Sequence, residues 1–178
     1  MNSQQKTLIT IVGPTAIGKT SLSILLANYF NTQIISCDSR QFYKEMRIGT
    51  AVPEAEELEA ATHHFIQNRS IFEDYNVGAF ERDALAKLDE LFKKNDVVIM
   101  VGGSGLYVDA VINGLDHFPK VDKSIRENLV NRLEKEGLTS LQIQLKELDI
   151  ETYNTIAINN PQRVMRALEI CIGTGKPY

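Results

Sequence analysis

Leu8-Ile9-Thr10-Ile11-Val12-Gly13-Pro14-Thr15-Ala16-Ile17-Gly18-Lys19-Thr20 is the stretch whose reading decides the fold. Its first five residues form a short, β-branched apolar run of the kind buried on both faces of a parallel sheet. Ser21 to Ala27 then continues at helical spacing. Between strand and helix stands G-x-x-x-x-G-K-T, the phosphate-cradling loop, in the setting that gives the pattern its meaning. Gly13 and Gly18 let the backbone approach an anion with no Cβ in the way, so that successive N–H groups and the helix N-terminus point at it. Lys19 adds a full positive charge, and Thr20 offers a hydroxyl where a phosphate-bound Mg²⁺ needs a ligand. Gly13, Pro14, Thr15, Ala16, Ile17, Gly18, Lys19 and Thr20 are therefore the candidate diphosphate- or nucleotide-binding positions. The loop does not say which molecule carries the phosphates.

At 178 residues the chain can bury one substantial core and carry a small appendage. A net charge of -4 argues against a nonspecific nucleic-acid binder while leaving room for a local basic patch. Cys37 and Cys171 are far apart and lack metal-type spacing, which fits a reduced, cytoplasmic protein without a catalytic thiol. No stretch reads as a signal peptide or reaches membrane-spanning length.

A second short strand, Gln33 to Ser36, delivers Cys37-Asp38-Ser39-Arg40-Gln41 to its C-terminal end. Ligands of open α/β sheets bind beyond the carboxyl ends of strands, so Asp38 falls beside the phosphate loop; an N-cap role for Asp38 is compatible with that. Residues 48–53 read as loop, Glu54 to Ala61 as a short acidic helix, and His63 to Ile66 as a third strand. Adjacent histidines on a strand point to opposite sides, so His63 and His64 read as packing or surface residues. Asn76 to Lys94 carries Val77, Phe80, Ala84, Leu85, Leu88, Leu91 and Phe92 on one helical face. Val97 to Val101 is the most apolar strand and ends in Gly102-Gly103-Ser104-Gly105. Hydrolases built on this loop usually place a Mg²⁺-supporting acid there. Its absence weighs against hydrolysis and leaves Ser104 either facing the ligand or capping the next helix.

Beyond Leu115 the chain becomes charged and helical, with leucines broken by Gly137, which reads as a helical hairpin or small bundle. Lys120, Lys123, Arg126, Arg132 and Lys135 could serve an acidic partner, and the interspersed acids make a merely solvated face equally plausible. Asn159-Asn160-Pro161 opens a last helix in which Arg163 and Arg166 share a face that could reach phosphates or pair with Glu169. The fold class expected is α/β: a parallel sheet with helices on both faces and a small helical insertion. The expected division is a core of residues 1–114, a helical insertion of 115–160, and a return to the core over 161–178.

GPTAIGKT (13–20), SCDSRQFYKEMRIGTAVP (36–53), HHF (63–65), VGGSGLYVDAVINGL (101–115) and NPQRVMRALEICIGTGKP (160–177, with Asn160 leading) together resemble the tRNA dimethylallyltransferase, or isopentenyltransferase, family. The resemblance covers nearly the whole chain and rests on the ordered combination of its motifs. It implies a P-loop kinase-like fold whose helical insertion of 115–160 faces tRNA, a loop that holds the diphosphate of dimethylallyl diphosphate, and as acceptor the exocyclic amine of the adenine 3′ of the anticodon. It implies catalytic roles for Asp38 as the proton acceptor, for Ser104 near the breaking bond, and for Lys19 at the diphosphate. Thr20 would ligate Mg²⁺. Asp38, Ser39, Arg40, Gln41, Ser104, Arg126, Gln162, Arg163, Val164, Met165 and Arg166 match tRNA-contacting positions. The implied partners are a tRNA anticodon stem-loop and the allylic diphosphate, with no membrane and a monomeric state. Two departures stand out: Asn160 replaces a common aspartate, and family members continue well beyond Tyr178, so an N-terminal part of a longer enzyme is expected. A small-molecule or nucleoside kinase would use the same loop with Asp38 as base, although no arginine-rich lid is apparent. A noncatalytic tRNA-binding P-loop module is the third reading.

Overall fold

A computed structural model describes residues 5–115 and 121–178, and the chain divides into two compact units, 1–115 and 116–178. In the first unit four parallel strands, β1 (Thr7–Val12), β2 (Ile34–Ser36), β3 (His63–His64) and β4 (Val97–Gly102), form one sheet in the order β1-β4-β2-β3. The last strand to be made thus lies between the first two. Alternation along the strands divides the core into two layers. Ile34, Ile99 and Val101 turn toward Ala27 of helix α1 (Lys19–Tyr29). Ile35, Val98 and Met100 turn the other way, toward Phe80, Ala84, Leu88 and Leu91 of α3 (Val77–Phe92) and Val108 and Val111 of α4 (Gly105–Asn113). The expected α/β sheet with helices on both faces is therefore present.

Local signals set the helix boundaries. Helix α3 starts at Asn76, whose side chain accepts the Ala79 N–H, and α2 (Ala55–Ala60) opens on a reciprocal capping box between Glu54 and Glu57. Leu85 departs from the expected apolar face, being 43% exposed. The third strand is also shorter than its composition suggests. Phe65 adopts a φ of 63°, which ends the strand after His64 and turns the ring into the aromatic cluster with Phe80, at 5.3 Å between centroids. Burying that ring outweighs continuing the pairing.

Register brings the site together. Val101 pairs with Ile11 on one side and Ser36 on the other, so the C-terminal ends of β1, β2 and β4 finish level. At that level a Cβ on Gly102 would lie 2.6 Å from both the carbonyl carbon and Sγ of Cys37. Only glycine permits that approach.

The second unit is helical: α5 (Lys123–Glu136), α6 (Leu138–Leu148), α7 (Ile150–Thr155) and α8 (Pro161–Thr174). Helices α5, α6 and α8 bury Leu129, Leu141, Leu145, Val164, Met165 and Leu168 against one another. Gly137, at φ 78°, breaks the hairpin as its position suggests. The expected assignment of 161–178 to the sheet core is not what the division follows, because the apolar stripe of α8 is filled by α5 and α6 and groups with them. Asn160 caps α8, its side chain accepting the N–H groups of Gln162 and Arg163, so the neutral residue keeps the cap that an aspartate would supply. Lys120 lies outside the described residues.

Two stability predictions follow from these contacts. Gly102→Ala should lower unfolding stability by about 1–3 kcal/mol, read as a fall in urea midpoint at unchanged slope, because Cys37 backbone must move. Burial raises the Asp149 carboxyl pKa, but hydrogen bonds from Thr152, Tyr178 and Glu151 outweigh it and hold the group below its ordinary value of 3.8. A depressed carboxyl contributes stability above the unfolded value and loses it as pH falls through the folded one. Asp149→Asn should therefore melt lower than the parent at neutral pH, with the gap narrowing progressively below pH 3.8.

Candidate active site

The loop between β1 and α1 takes its shape from its backbone. Gly18 sits at φ 89° and Ala16 at φ 66°, both in the left-handed region from which anion-cradling loops are built. No neighbour crowds Gly18, so its requirement is conformational and a side chain there would be strained even in open space. Lys19, the first residue of α1, donates its Nζ to the Pro14 carbonyl at 2.6 Å, reaching back across the loop.

Beyond the strand ends lies a cavity of about 210 Å³, lined by the loop residues Thr15, Ala16, Gly18, Lys19 and Thr20 and, across from them, by Asp38. The sequence-based expectation that Asp38 stands beside the phosphate loop therefore agrees with this geometry. Its Oδ1 accepts the Arg40 N–H at 3.1 Å, and its Oδ2 comes within 3.6 Å of where a Gly103 Cβ would sit, as does the Gly13 carbonyl oxygen. The acid is held from behind. Phe42, fully buried, stacks on Phe80 at 5.0 Å and anchors the far end of the Asp38–Gln41 loop in the core.

Ser104 is the first residue before α4, yet its side chain makes no capping bond. Instead its Oγ accepts the Ser39 N–H at 3.0 Å and lies 3.0 Å from the Ser39 hydroxyl. This ties the glycine turn after β4 to the Asp38 loop. Gln41 lines the cavity too, but its side chain works as a brace: Oε1 accepts from the Ser36 hydroxyl, and Nε2 donates to the carbonyls of Thr50 and Ala51. Arg40 is exposed.

Among the other lining residues, two carry titratable groups with no site role assigned from the sequence: His63, which opens β3, and Glu57 of α2. His63 Nδ1 lies 2.8 Å from the Ala61 carbonyl, which can only accept, so Nδ1 carries the proton; burial pushes its pKa down and keeps the ring neutral. Its neighbour His64 reaches Gln33 Oε1 at 2.7 Å, so the pair do diverge. The sequence reads His63 as a packing or surface residue within the HHF motif and Glu57 as part of an acidic helix, and the fold brings both to the cavity. Cys37, buried and next to Asp38, has its thiol pushed up to about 12 by burial first and by that carboxylate second. Among the described residues no group of three or more His, Cys, Asp or Glu could hold a metal, and no helix is long and apolar enough to cross a membrane.

In the second unit the residues expected to meet RNA separate into two kinds. Val164 and Met165 are buried in the helical core, because their spacing on α8 turns them inward, so neither side chain is presented to a partner. Gln162 and Arg163 are exposed, and Arg126 and Arg166 keep about 45% and 44% of their side-chain surface.

Similarity to known proteins agrees with this arrangement. The tRNA dimethylallyltransferase of Flavobacterium psychrophilum is 62% identical over 177 residues, spanning 96% of this chain and 58% of its own length. That of Cytophaga hutchinsonii is 48% identical, spanning 99% and 58%. Among solved structures, the tRNA isopentenylpyrophosphate transferase of Bacillus halodurans aligns with a TM-score of 0.62 at 38% identity, over 98% of this chain and 58% of that one. A eukaryotic dimethylallyltransferase described as acting on tRNA aligns with a TM-score of 0.79 at 28% identity, over 97% of this chain and 43% of its own. The chain thus spans a little under three fifths of the curated relatives it matches. The IPP transferase family model matches residues 41–178, most of the chain, and the chain belongs to that family.

Proposed function

We propose that this chain carries the donor-gripping and base-presenting part of a tRNA dimethylallyltransferase. The reaction moves the dimethylallyl group of dimethylallyl diphosphate to the exocyclic amine of the adenine 3′ of the anticodon and releases diphosphate. The observation that carries the reading is the shared cavity of Lys19, Thr20 and Asp38. A grip for a departing anion and a carboxylate for an incoming amine stand on one rim, and the names of the relatives point to the same chemistry.

In this reading the loop amides and Lys19 oppose the charge that grows on the diphosphate as the allylic C–O bond breaks. An adenine amine is a poor nucleophile because its lone pair is delocalised into the ring. Asp38 takes the proton as the C–N bond forms, which keeps positive charge from building on nitrogen. Ser104, which is not among the cavity-lining residues, acts here through Ser39, tying the turn after β4 to the Asp38 loop. The target base has to leave its stack to reach a buried carbon, so the RNA delivers an extruded nucleotide. Mg²⁺ fits the donors present: the Thr20 hydroxyl is a hard oxygen ligand in the cavity, and phosphate oxygens and water complete what the cation prefers. Bound there, it supplies further neutralisation of the leaving group.

The test is an incubation of tRNA and dimethylallyl diphosphate with this chain joined to the C-terminal remainder of the Flavobacterium psychrophilum relative, followed by nucleoside analysis. Isopentenyladenosine is the expected product, and a parallel incubation with ATP and alcohols should yield no phosphorylated acceptor. In the same protein Asp38→Asn should keep diphosphate affinity within about twofold and lose roughly 10²–10⁴ in turnover. Unchanged turnover would remove the base from the scheme. Lys19→Ala should weaken binding of the allylic diphosphate to the 178-residue chain by about 10–100-fold in calorimetry, the worth of a charge-assisted hydrogen bond.

A further inference from the structure

His63 keeps one polar atom that the fold leaves unsatisfied. Its Nδ1 donates to the Ala61 carbonyl at 2.8 Å, whereas Nε2 is shielded from solvent and has no hydrogen-bond partner among the described residues. Burial lowers the pKa of the ring and outweighs the opposing Ala61 bond and Glu57 charge, so the ring is neutral and Nε2 is an acceptor. A shielded acceptor without a donor is costly, and a donor that arrives with a ligand relieves that cost. The same ring lines the cavity together with Lys19, Thr20, Asp38 and Glu57.

A diphosphate cannot be that donor. Its oxygens only accept, and they bring negative charge toward an acceptor nitrogen and two carboxylates, Asp38 and Glu57. Glu57 is held in place by its Oε2, which accepts the Glu54 N–H at 2.9 Å. A hydrated divalent cation reconciles these charges. It puts positive charge between the anions, and the waters that Mg²⁺ retains are strong donors. Asp38, Glu57 and His63 do not gather into a group that could ligate a metal directly, so their route to a cation passes through water.

We propose that His63 is a positioning residue whose Nε2 accepts a hydrogen bond from a water carried by the Mg²⁺ that accompanies the diphosphate. This rests on the diphosphate reading given above. The Ala61 carbonyl fixes the tautomer, and the tautomer makes Nε2 an acceptor that suits a cation's water and rejects a phosphate oxygen. His63 itself touches neither the cation nor the diphosphate.

The experiment titrates dimethylallyl diphosphate into the 178-residue chain by calorimetry, once with Mg²⁺ and once with EDTA, and without tRNA so that no turnover occurs. The quantity read is the gain in affinity that Mg²⁺ confers, with thermal melting of each variant as the check on folding. His63→Asn keeps an amide N–H for the Ala61 carbonyl and has no atom where Nε2 stands. It should cut the Mg²⁺-dependent gain about three- to tenfold while affinity in EDTA stays within about twofold of the parent. His63→Gln, whose side-chain oxygen reaches the position of Nε2, should recover most of the gain. A full gain in His63→Asn overturns the proposal and leaves the diphosphate grip intact. An equal loss in both buffers overturns it too, since it marks packing or direct contact with the diphosphate, and so does a His63→Gln variant as weak as His63→Asn. A parent that binds equally well in both buffers removes the cation from the site and this role with it; a parent that binds in neither removes the diphosphate reading itself. If His63→Asn melts below the assay temperature, a crystal of the parent with dimethylallyl diphosphate and Mg²⁺ carries the test. A cation-bound water within hydrogen-bond distance of Nε2 supports the role, and Nε2 paired with anything else, or with nothing, overturns it.

Discussion

The close approach of two backbones at the end of the sheet is the constraint on which the rest of the first unit depends. The Cys37 N–H donates to the Val101 carbonyl at 2.8 Å, extending the β2–β4 pairing one residue past Ser36. Gly102, bare of a side chain, lets that extension happen. Because β4 is flanked by β1 on its other edge, the same strand that receives Cys37 also fixes where the phosphate loop begins. Asp38 therefore inherits its distance from the loop from hydrogen bonds in a buried, fully paired region, where displacement is costly. The glycine turn after β4 completes the frame by reaching back through Ser104 to Ser39.

The helical unit solves a different problem. Its core is small, so its polar face has to be ordered by ion pairs and caps rather than by burial. Glu169 contributes to both layers: it sits among the inward residues of α8 and yet organises side chains that remain at the surface. Asn160 performs the parallel service at the helix start, where Pro161 is already suited to the first turn.

Much of this was legible in the residues. The phosphate loop, the Val97–Val101 strand, the α3 stripe and the Gly137 break each combine local propensity with a periodicity that one fold satisfies, so they survived into the structure with boundaries shifted by a residue or two. Asp38 and Lys19 could be placed together because parallel strands deliver their following residues to one edge. Other features depend on long-range packing that no window contains. Phe65 leaves its strand to join a ring cluster, and His63 of β3 and Glu57 of α2 meet the phosphate loop at one cavity although they lie far from it in sequence. Val164 and Met165 matched a segment whose motif runs through both faces of a helix. The match could not tell the exposed members from the buried ones, and the 3.6-residue period does. Gln41 carries a motif position while spending its amide on the 50–51 backbone, which only the fold reveals.

The thiol of Cys37 has a chemical consequence for the reaction proposed here. Allylic diphosphates are electrophiles, and a thiolate one residue from the base would compete with the adenine amine for the carbon. Burial, with the Asp38 carboxylate adding to it, raises the pKa of this thiol to about 12, so the sulfur stays protonated at neutral pH. The packing that holds Gly102 against this side chain thus also keeps a sulfur nucleophile one residue from Asp38 in its protonated form.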